Sequence, residues 1–372
     1  MTEDRNDPSV SIIIPTKDRC GLLLETLASV RSQTYQHWEA VVVDDLSSDT
    51  TWPALLELAA EDPRIRPLRR AGPAGGAQVA RNQGLSASRG SFVIFLDSDD
   101  LLTPDALAGR LRNATAHPEA DAIVFVAEHF TGSPGLHADE TAYRMNVFDG
   151  VEALDAFLAY HAPWYTSGPL WRRAAIDRVG PWDVTLPFGQ DLEYHIRALT
   201  SGIRFQQLAE VDQYHRGHDG ARVSQSNGLS NISKRLALLD RVIALLRSNK
   251  MLTPRRRRML AWSAFWGTIG YSLERPRPQI RTTLRLWRGA YERGLVGRSA
   301  YWIGSLVALS QLVNGLRAFG RELARWVFYS HLKKKPLLHP ILLRTLVLQL
   351  RWRLRRCRMG RHRVVANTPL VS

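Results

Sequence analysis

Residues 75–100 read GGAQVARNQGLSASRGSFVIFLDSDD, and this stretch decides the fold class. Gly75-Gly76 permits close approach of backbone or ligand, and the residues from Gln78 to Ser88 have helical composition. Ser91–Leu96 (SFVIFL) is β-branched and aromatic, which predicts a buried strand. The strand runs straight into Asp97-Ser98-Asp99-Asp100. Carboxylates one residue apart at the end of a buried strand repel each other unless a cation or protons lie between them. Hard divalent ions favour such oxygens, completed by substrate phosphate. Read alone, the acidic turn serves equally well to cap the helix that follows Pro104.

The same alternation continues on both sides. Upstream, Val10–Ile14 predicts a strand, Gly21–Gln33 a helix, Glu39–Val43 a strand, Thr51–Ala60 a helix and Ile65–Arg69 a short strand. Downstream, a helix follows Pro104 and a strand covers Ala122–Ala127. Strands alternating with helices imply an α/β fold with a mostly parallel sheet and helices on both faces. Ligands of such sheets bind beyond the carboxyl ends of the strands. Three strand ends deliver Pro15-Thr16-Lys17-Asp18-Arg19, Asp44-Asp45 and the Asp97–Asp100 run, so one rim gathers polar, largely anionic groups.

Charge divides the 372-residue chain. Through Ser230 there are 20 Lys and Arg against 31 Asp and Glu, a net of −11; from Asn231 onward the count is 30 against 4, a net of +26. An acidic front and a basic back indicate separate units, the second suited to an anionic partner. With 45% hydrophobic residues the chain is not disordered as a whole. Two cysteines, Cys20 and Cys357, have no paired spacing, which argues against sulfur-based metal or redox chemistry. The polar start MTEDRNDP leads to the expectation of no signal peptide. The apolar run Tyr301–Leu316 would extend about 24 Å as a helix, short of a bilayer core of about 30 Å.

Each motif has an ordinary reading as well. Asp44-Asp45 either accepts from a ribose or base or forms a turn into the next helix. Arg81 is either a phosphate ligand at a helix start or a surface charge. Asp191 either takes a proton from a substrate hydroxyl or sits as an acid in a helix first turn, with Glu193 as the fallback base. Trp164, Tyr165, Trp171 and Trp182 are sugar-stacking or core residues.

In combination the segments are far more specific. PTKDR, VVVDDLSSD and GGAQVARNQGLSASRGSFVIFLDSDD in this order resemble the family 2 glycosyltransferases with the GT-A fold, a likeness that covers nearly all of residues 9–226. The resemblance implies nucleoside contacts at Pro15, Thr16, Asp18, Asp44 and Asp45, and a diphosphate contact at Arg81. It implies Mn²⁺ or Mg²⁺ at Asp97 and Asp99, with Ser98 between them at the sugar nucleotide. The segment VGPWDVTLPFGQDLEYHIRAL is similar to the family's acceptor motif, making Asp191 the general base of an inverting transfer. That motif commonly carries Glu where this chain has Gln190, which removes a like charge beside Asp191 and keeps hydrogen bonding. Tyr214-His215-Arg216-Gly217-His218 is similar to the family's Arg-x-His segment, with His218 a third metal ligand or a diphosphate contact.

These readings predict a GT-A domain over 1–228, with a donor half at about 9–130 and an acceptor half at about 131–228, followed by a basic all-helical region over 229–372. The implied partners are a nucleoside-diphosphate sugar, foremost a UDP-sugar, and a carbohydrate or lipid-linked acceptor in surface polysaccharide or glycolipid synthesis. Arg255–Arg258, Lys333–Lys335 and Arg351–Arg363 interleave with apolar residues in a pattern that suits an anionic membrane surface. A cytoplasmic enzyme, peripheral at the inner membrane face, follows from this reading. A noncatalytic sugar-nucleotide-binding scaffold and a nucleic-acid-binding protein acting through the tail are the alternatives.

Overall fold

The computed structural model describes residues 9–72, 75–130, 152–159, 162–186, 188–217, 232–261, 263, 280–298, 301–302 and 305. The strand β1 (Val10–Thr16) is followed by α1 (Cys20–Arg31), β2 (Trp38–Asp44), α2 (Thr51–Glu61) and β3 (Ile65–Arg69). Then come α3 (Ala77–Ala87), β4 (Phe92–Phe95), β5 (Leu101–Leu102), α4 (Ala106–Ala116) and β6 (Ala122–Phe130). The second half adds α5 (Ala153–Leu158), β7 (Pro169–Arg172), α6 (Arg173–Val179), α7 (Gln190–Thr200) and β8 (Phe205–Arg216).

One eight-stranded sheet has the order β3-β2-β1-β4-β7-β6-β8-β5. The first four strands pair in parallel, as their alternation with helices requires. Beyond β4 the sheet becomes mixed. β7 runs antiparallel to both neighbours, β8 is parallel to β6, and β5 is antiparallel to β8. The sheet is therefore parallel throughout only across β3-β2-β1-β4.

Both faces are covered, so the strands read as unbroken apolar runs. Ile12 and Ile14 pack with Leu23, Leu27 and Val30 of α1 on one face. Ile13 points the other way, into a cluster with Phe95, Trp171, Trp182 and Tyr194. Gly84 lets α3 lie close on this second face, because a Cβ there would stand 2.6 Å from Ile13 Cγ2.

Residues Met1–Ser305 form one compact unit, and Leu306–Ser372, outside the described residues, are assigned to another. The helices Ile232–Ser248 and Ile280–Glu292 belong to the first unit, and Ile232–Ser248 packs on α7. Pro254, a break in the sequence pattern, opens the helical residues 254–261, where its missing N–H costs nothing. Arg255 and Arg256 bind Asp155 at 3.2 and 2.8 Å, and Arg256 also binds Glu152 at 2.7 Å. Two of the four arginines expected at an anionic membrane surface thus fasten this helix to α5. Lys333–Lys335 and Arg351–Arg363 lie outside the described residues. No helix among the described residues is long and apolar enough to cross a membrane.

Candidate functional site

The strand register brings the three predicted loops together. Thr16 pairs with Asp44 at the ends of β1 and β2, and the Asp45 N–H donates to the Thr16 carbonyl at 2.8 Å. The Leu96 N–H donates to the Ile13 carbonyl at 3.0 Å, which places Asp97 just beyond the same edge. Above this edge lies a cleft of about 840 Å³. Pro15, Thr16, Asp45, Arg81, Asp97, Ser98, Asp99 and Asp191 all line it.

Asp45 accepts from the Gly76 and Gly75 N–H groups at 2.9 and 3.3 Å and pairs with Arg70 at 3.1 Å. It thereby shapes the glycine turn that starts α3, where Gly76 has φ +79°. Asp18 and Asp44 are not part of the lining. The Asp18 carboxylate accepts from the Ser48 N–H at 2.6 Å, a bond that holds it below the usual carboxylate range. Asp44 is buried, accepting from the Ser47 N–H at 3.2 Å and pairing with Arg69 at 3.3 Å. Period-two alternation turns Asp44 inward and Asp45 toward the cleft, so the pair does two different jobs.

Each carboxylate of the Asp97–Asp99 turn meets an arginine. Arg81 Nη2 donates to Asp97 at 2.6 Å, and Arg19 Nη1 to Asp99 at 3.1 Å. Arg81 lies over the Trp182 ring at 4.6 Å, and its Nε and Nη1 are buried without a hydrogen-bond partner among the described residues. The buried Thr16 hydroxyl is likewise unpartnered there. Orphaned donors beside a polar cleft fit an anionic, hydroxyl-rich ligand such as a sugar nucleotide.

The Asp97 and Asp99 side chains keep 34% and 19% of their surface exposed. An all-oxygen pair of this kind fits Mg²⁺ or Mn²⁺, which complete their shells with phosphate and water. Among the described residues, no three His, Cys, Asp or Glu converge on one point, and His218 lies outside them.

Across the cleft, α7 starts with Gln190, Asp191 and Leu192. Asp191 is exposed, in the helix first turn. Glu193 is withdrawn as the fallback base: it has 0% exposure, is gripped by Arg197 at 2.9 Å, and is absent from the cleft lining. Trp164 and Tyr165 line the cleft, whereas Trp171 and Trp182 are core.

Several lining residues were not singled out from the sequence. Arg19 and Lys17 both sit within the quoted PTKDR. His215 pairs with the buried Asp100 at 3.0 Å and stacks on Tyr165 with ring centroids 4.0 Å apart. Burial opposes the imidazolium, but the Asp100 hydrogen bond and charge outweigh it and raise His215 above the ordinary histidine range. Arg216 Nε braces the turn by donating to the Asp99 carbonyl at 3.1 Å.

His195 follows Asp191 by four residues, which puts both on one helix face, and that spacing was the available signal. It stacks against Phe157 and Trp171. Burial, with the Arg81 charge adding to it, pushes its pKa down to about 3, against a hydrogen bond to the Asp191 backbone. The folded state therefore refuses a proton that the unfolded state takes up near pH 6.5. Stability is complete above that value and is lost as pH falls from it toward 3, by up to about 1.4 kcal/mol per unit. Thermal melts at about pH 7.5 and about pH 5 should show His195→Phe losing much less stability than wild type on acidification. Equal losses would mean that His195 is not held neutral.

Residues 11–175 match the family model described as Glycosyl transferase family 2. Over these residues the chain is similar to glycosyl transferase family 2. The chain is 26% identical over 236 residues to the Escherichia coli protein WfaP, a match covering 60% of this chain and 86% of WfaP. It is 40% identical over 133 residues to the O-antigen biosynthesis protein RfbC of Myxococcus xanthus, covering 35% of this chain and 10% of RfbC. With y4gI of Sinorhizobium fredii it shares 38% identity over 175 residues, 44% of this chain and 19% of y4gI. It therefore spans only a small part of the last two proteins. TarS 1-349 of S. aureus, solved with UDP-GlcNAc, superposes with a TM-score of 0.62 at 19% identity, over 89% of this chain and 93% of that one. The chain has the GT-A fold.

Proposed function

We propose that the protein is a divalent-cation-dependent, inverting glycosyltransferase that moves a sugar from a nucleoside-diphosphate donor to a hydroxyl acceptor. The observation that carries this reading is that one cleft holds both the Asp97–Asp99 carboxylates and Asp191. Thr16 and Asp45 would hold the nucleoside, and Arg81 and Arg19 suit the diphosphate as charge-assisted donors. Asp97 and Asp99 would hold Mn²⁺ or Mg²⁺, which supplies electrostatic stabilisation of charge on the leaving diphosphate. Asp191 accepts the proton of the acceptor hydroxyl as its oxygen attacks the anomeric carbon. Attack from the face opposite the diphosphate inverts the configuration.

The relatives' names support a role in surface glycan synthesis. RfbC is named for O-antigen biosynthesis, and WfaP as a glucosyltransferase from UDP-Glc to a GlcNAc-diphosphoundecaprenol. A UDP-sugar donor and a carbohydrate or lipid-linked acceptor are the corresponding proposals here. The excess of positive charge after Asn231 supports peripheral placement at the cytoplasmic face of an anionic membrane. The boundary between the GT-A domain and the basic helical region near residue 228 is part of the same proposal.

Calorimetric titration of UDP, GDP and ADP with and without Mn²⁺ tests the donor site. One diphosphate should bind in a metal-dependent manner, and Asp99→Ala should weaken it by about tenfold or more. A folded wild type that binds none of them would remove the transferase reading.

A further inference from the structure

The cleft rim between Gly180 and α7 is fastened from three directions. From α3, Asn82 holds both backbone groups of Trp182, at 2.8 and 2.9 Å, and the Gln78 side chain donates to the Leu186 carbonyl at 3.4 Å. From within α7, Arg197 donates to the Val179 and Pro181 carbonyls at 2.6 and 2.9 Å while gripping Glu193. The third fastening comes from the Ile232–Ser248 helix. Arg241 Nε lies 3.4 Å from Asp183 and 3.4 Å from Glu193.

Asp183 immediately precedes Val184 and Thr185, which line the cleft. Glu193 lies two residues after Asp191 on the first turns of α7. Arg241 therefore joins the rim to the helix that carries the proposed base. The same helix also packs against the segment between them. Gly189 has φ +68°, and a Cβ there would stand 2.4 Å from Leu238 Cδ2, while Arg235 lies over Phe188 at 5.6 Å.

We propose that Arg241 is a positioning residue, through which the helix Ile232–Ser248 fixes the acceptor end of the cleft relative to Asp191. Glu193 is already satisfied by Arg197, so a second cation beside it is not needed to neutralise it. What Arg241 adds is the link to Asp183. The inference rests on the reading of Asp191 as the base, and it gives the basic helical region a part in turnover.

The test compares Arg241→Ala, Arg241→Lys and Asp183→Asn with wild type in the full chain. Three quantities are measured: UDP affinity with Mn²⁺, hydrolysis of UDP-glucose in the absence of an acceptor, and amide exchange. In Arg241→Ala, kcat for hydrolysis should fall about tenfold with donor KM and UDP affinity unchanged, since small misplacements of a catalytic group are costly. Exchange of the amides of residues 183–192 should quicken while that of β1 and β2 does not. Asp183→Asn should reproduce the loss, and Arg241→Lys should restore part of it by keeping the charge. Unchanged kcat in Arg241→Ala would overturn the proposal, as would UDP affinity falling in step with kcat. Failure of wild type to bind UDP, GDP or ADP would instead remove the underlying transferase reading.

Discussion

Asp191→Asn is expected to cut turnover by about 10²–10⁴-fold while leaving nucleoside-diphosphate affinity within about twofold of wild type. The amide keeps the size and the hydrogen-bonding capacity of the carboxylate but cannot take the acceptor proton. Asp191 is exposed at the start of α7 and makes no ion pair among the described residues, so the exchange leaves the surrounding packing alone. Glu193 cannot substitute, because Arg197 and Arg241 hold it inside the protein. Turnover is followed as release of the nucleoside diphosphate, and affinity by calorimetry. A variant that retains wild-type turnover would show that the proton leaves by another route. One that loses nucleotide binding as well would place Asp191 at the donor instead.

The second large effect concerns stability. Arg110 on α4 has 0% exposure and donates to both oxygens of Asp212 on β8, at 2.6 and 2.9 Å, and to the Ser167 carbonyl at 3.0 Å. Arg110→Met should destabilise the fold by about 3–5 kcal/mol, because it leaves a buried carboxylate without its counter-charge. Replacing both partners, Arg110→Met with Asp212→Leu, should recover most of that loss, since the desolvation penalty disappears with the charge. Urea unfolding at neutral pH distinguishes the cases, and equal stability of the single and double variants would contradict the mechanism. Ser167 also donates its hydroxyl to Asp100 at 3.2 Å. The single variant should therefore loosen the seat of His215 in the cleft.

The first half of the sheet was legible because its signals are local. Val10–Ile14, Glu39–Val43 and SFVIFL are continuous apolar runs, each closed by polar residues, and buried parallel strands read in that way. The mixed half of the sheet hides its strands. β7 is four residues long and opens on Pro169 within an aromatic stretch, and β5 has only two residues. β8 (FQQLAEVDQYHR) lacks an apolar face, because β6 and β5 supply backbone pairing while Asp212 and Gln213 lie buried through specific polar contacts. Polar burial of this kind depends on partners distant in the chain, such as Arg110, and spacing carries no trace of it. In the cleft, residue types at strand ends were readable. Which of two adjacent acids faces the ligand was not, and a one-residue phase separates Asp44 from Asp45.

The place of β7 between β4 and β6 has a consequence for biosynthesis. β4 (FVIF) gains its second neighbour only when Pro169–Arg172 emerges, about 74 residues after Phe95. At roughly 5–20 residues per second a nascent chain spends roughly 4–15 s with that aromatic edge unpaired. An open, apolar strand edge is a template for pairing with other chains. During translation, the step most exposed to aggregation is thus the wait for β7, and slow codons between residues 96 and 168 should lower the soluble yield more than the same codons placed after residue 172.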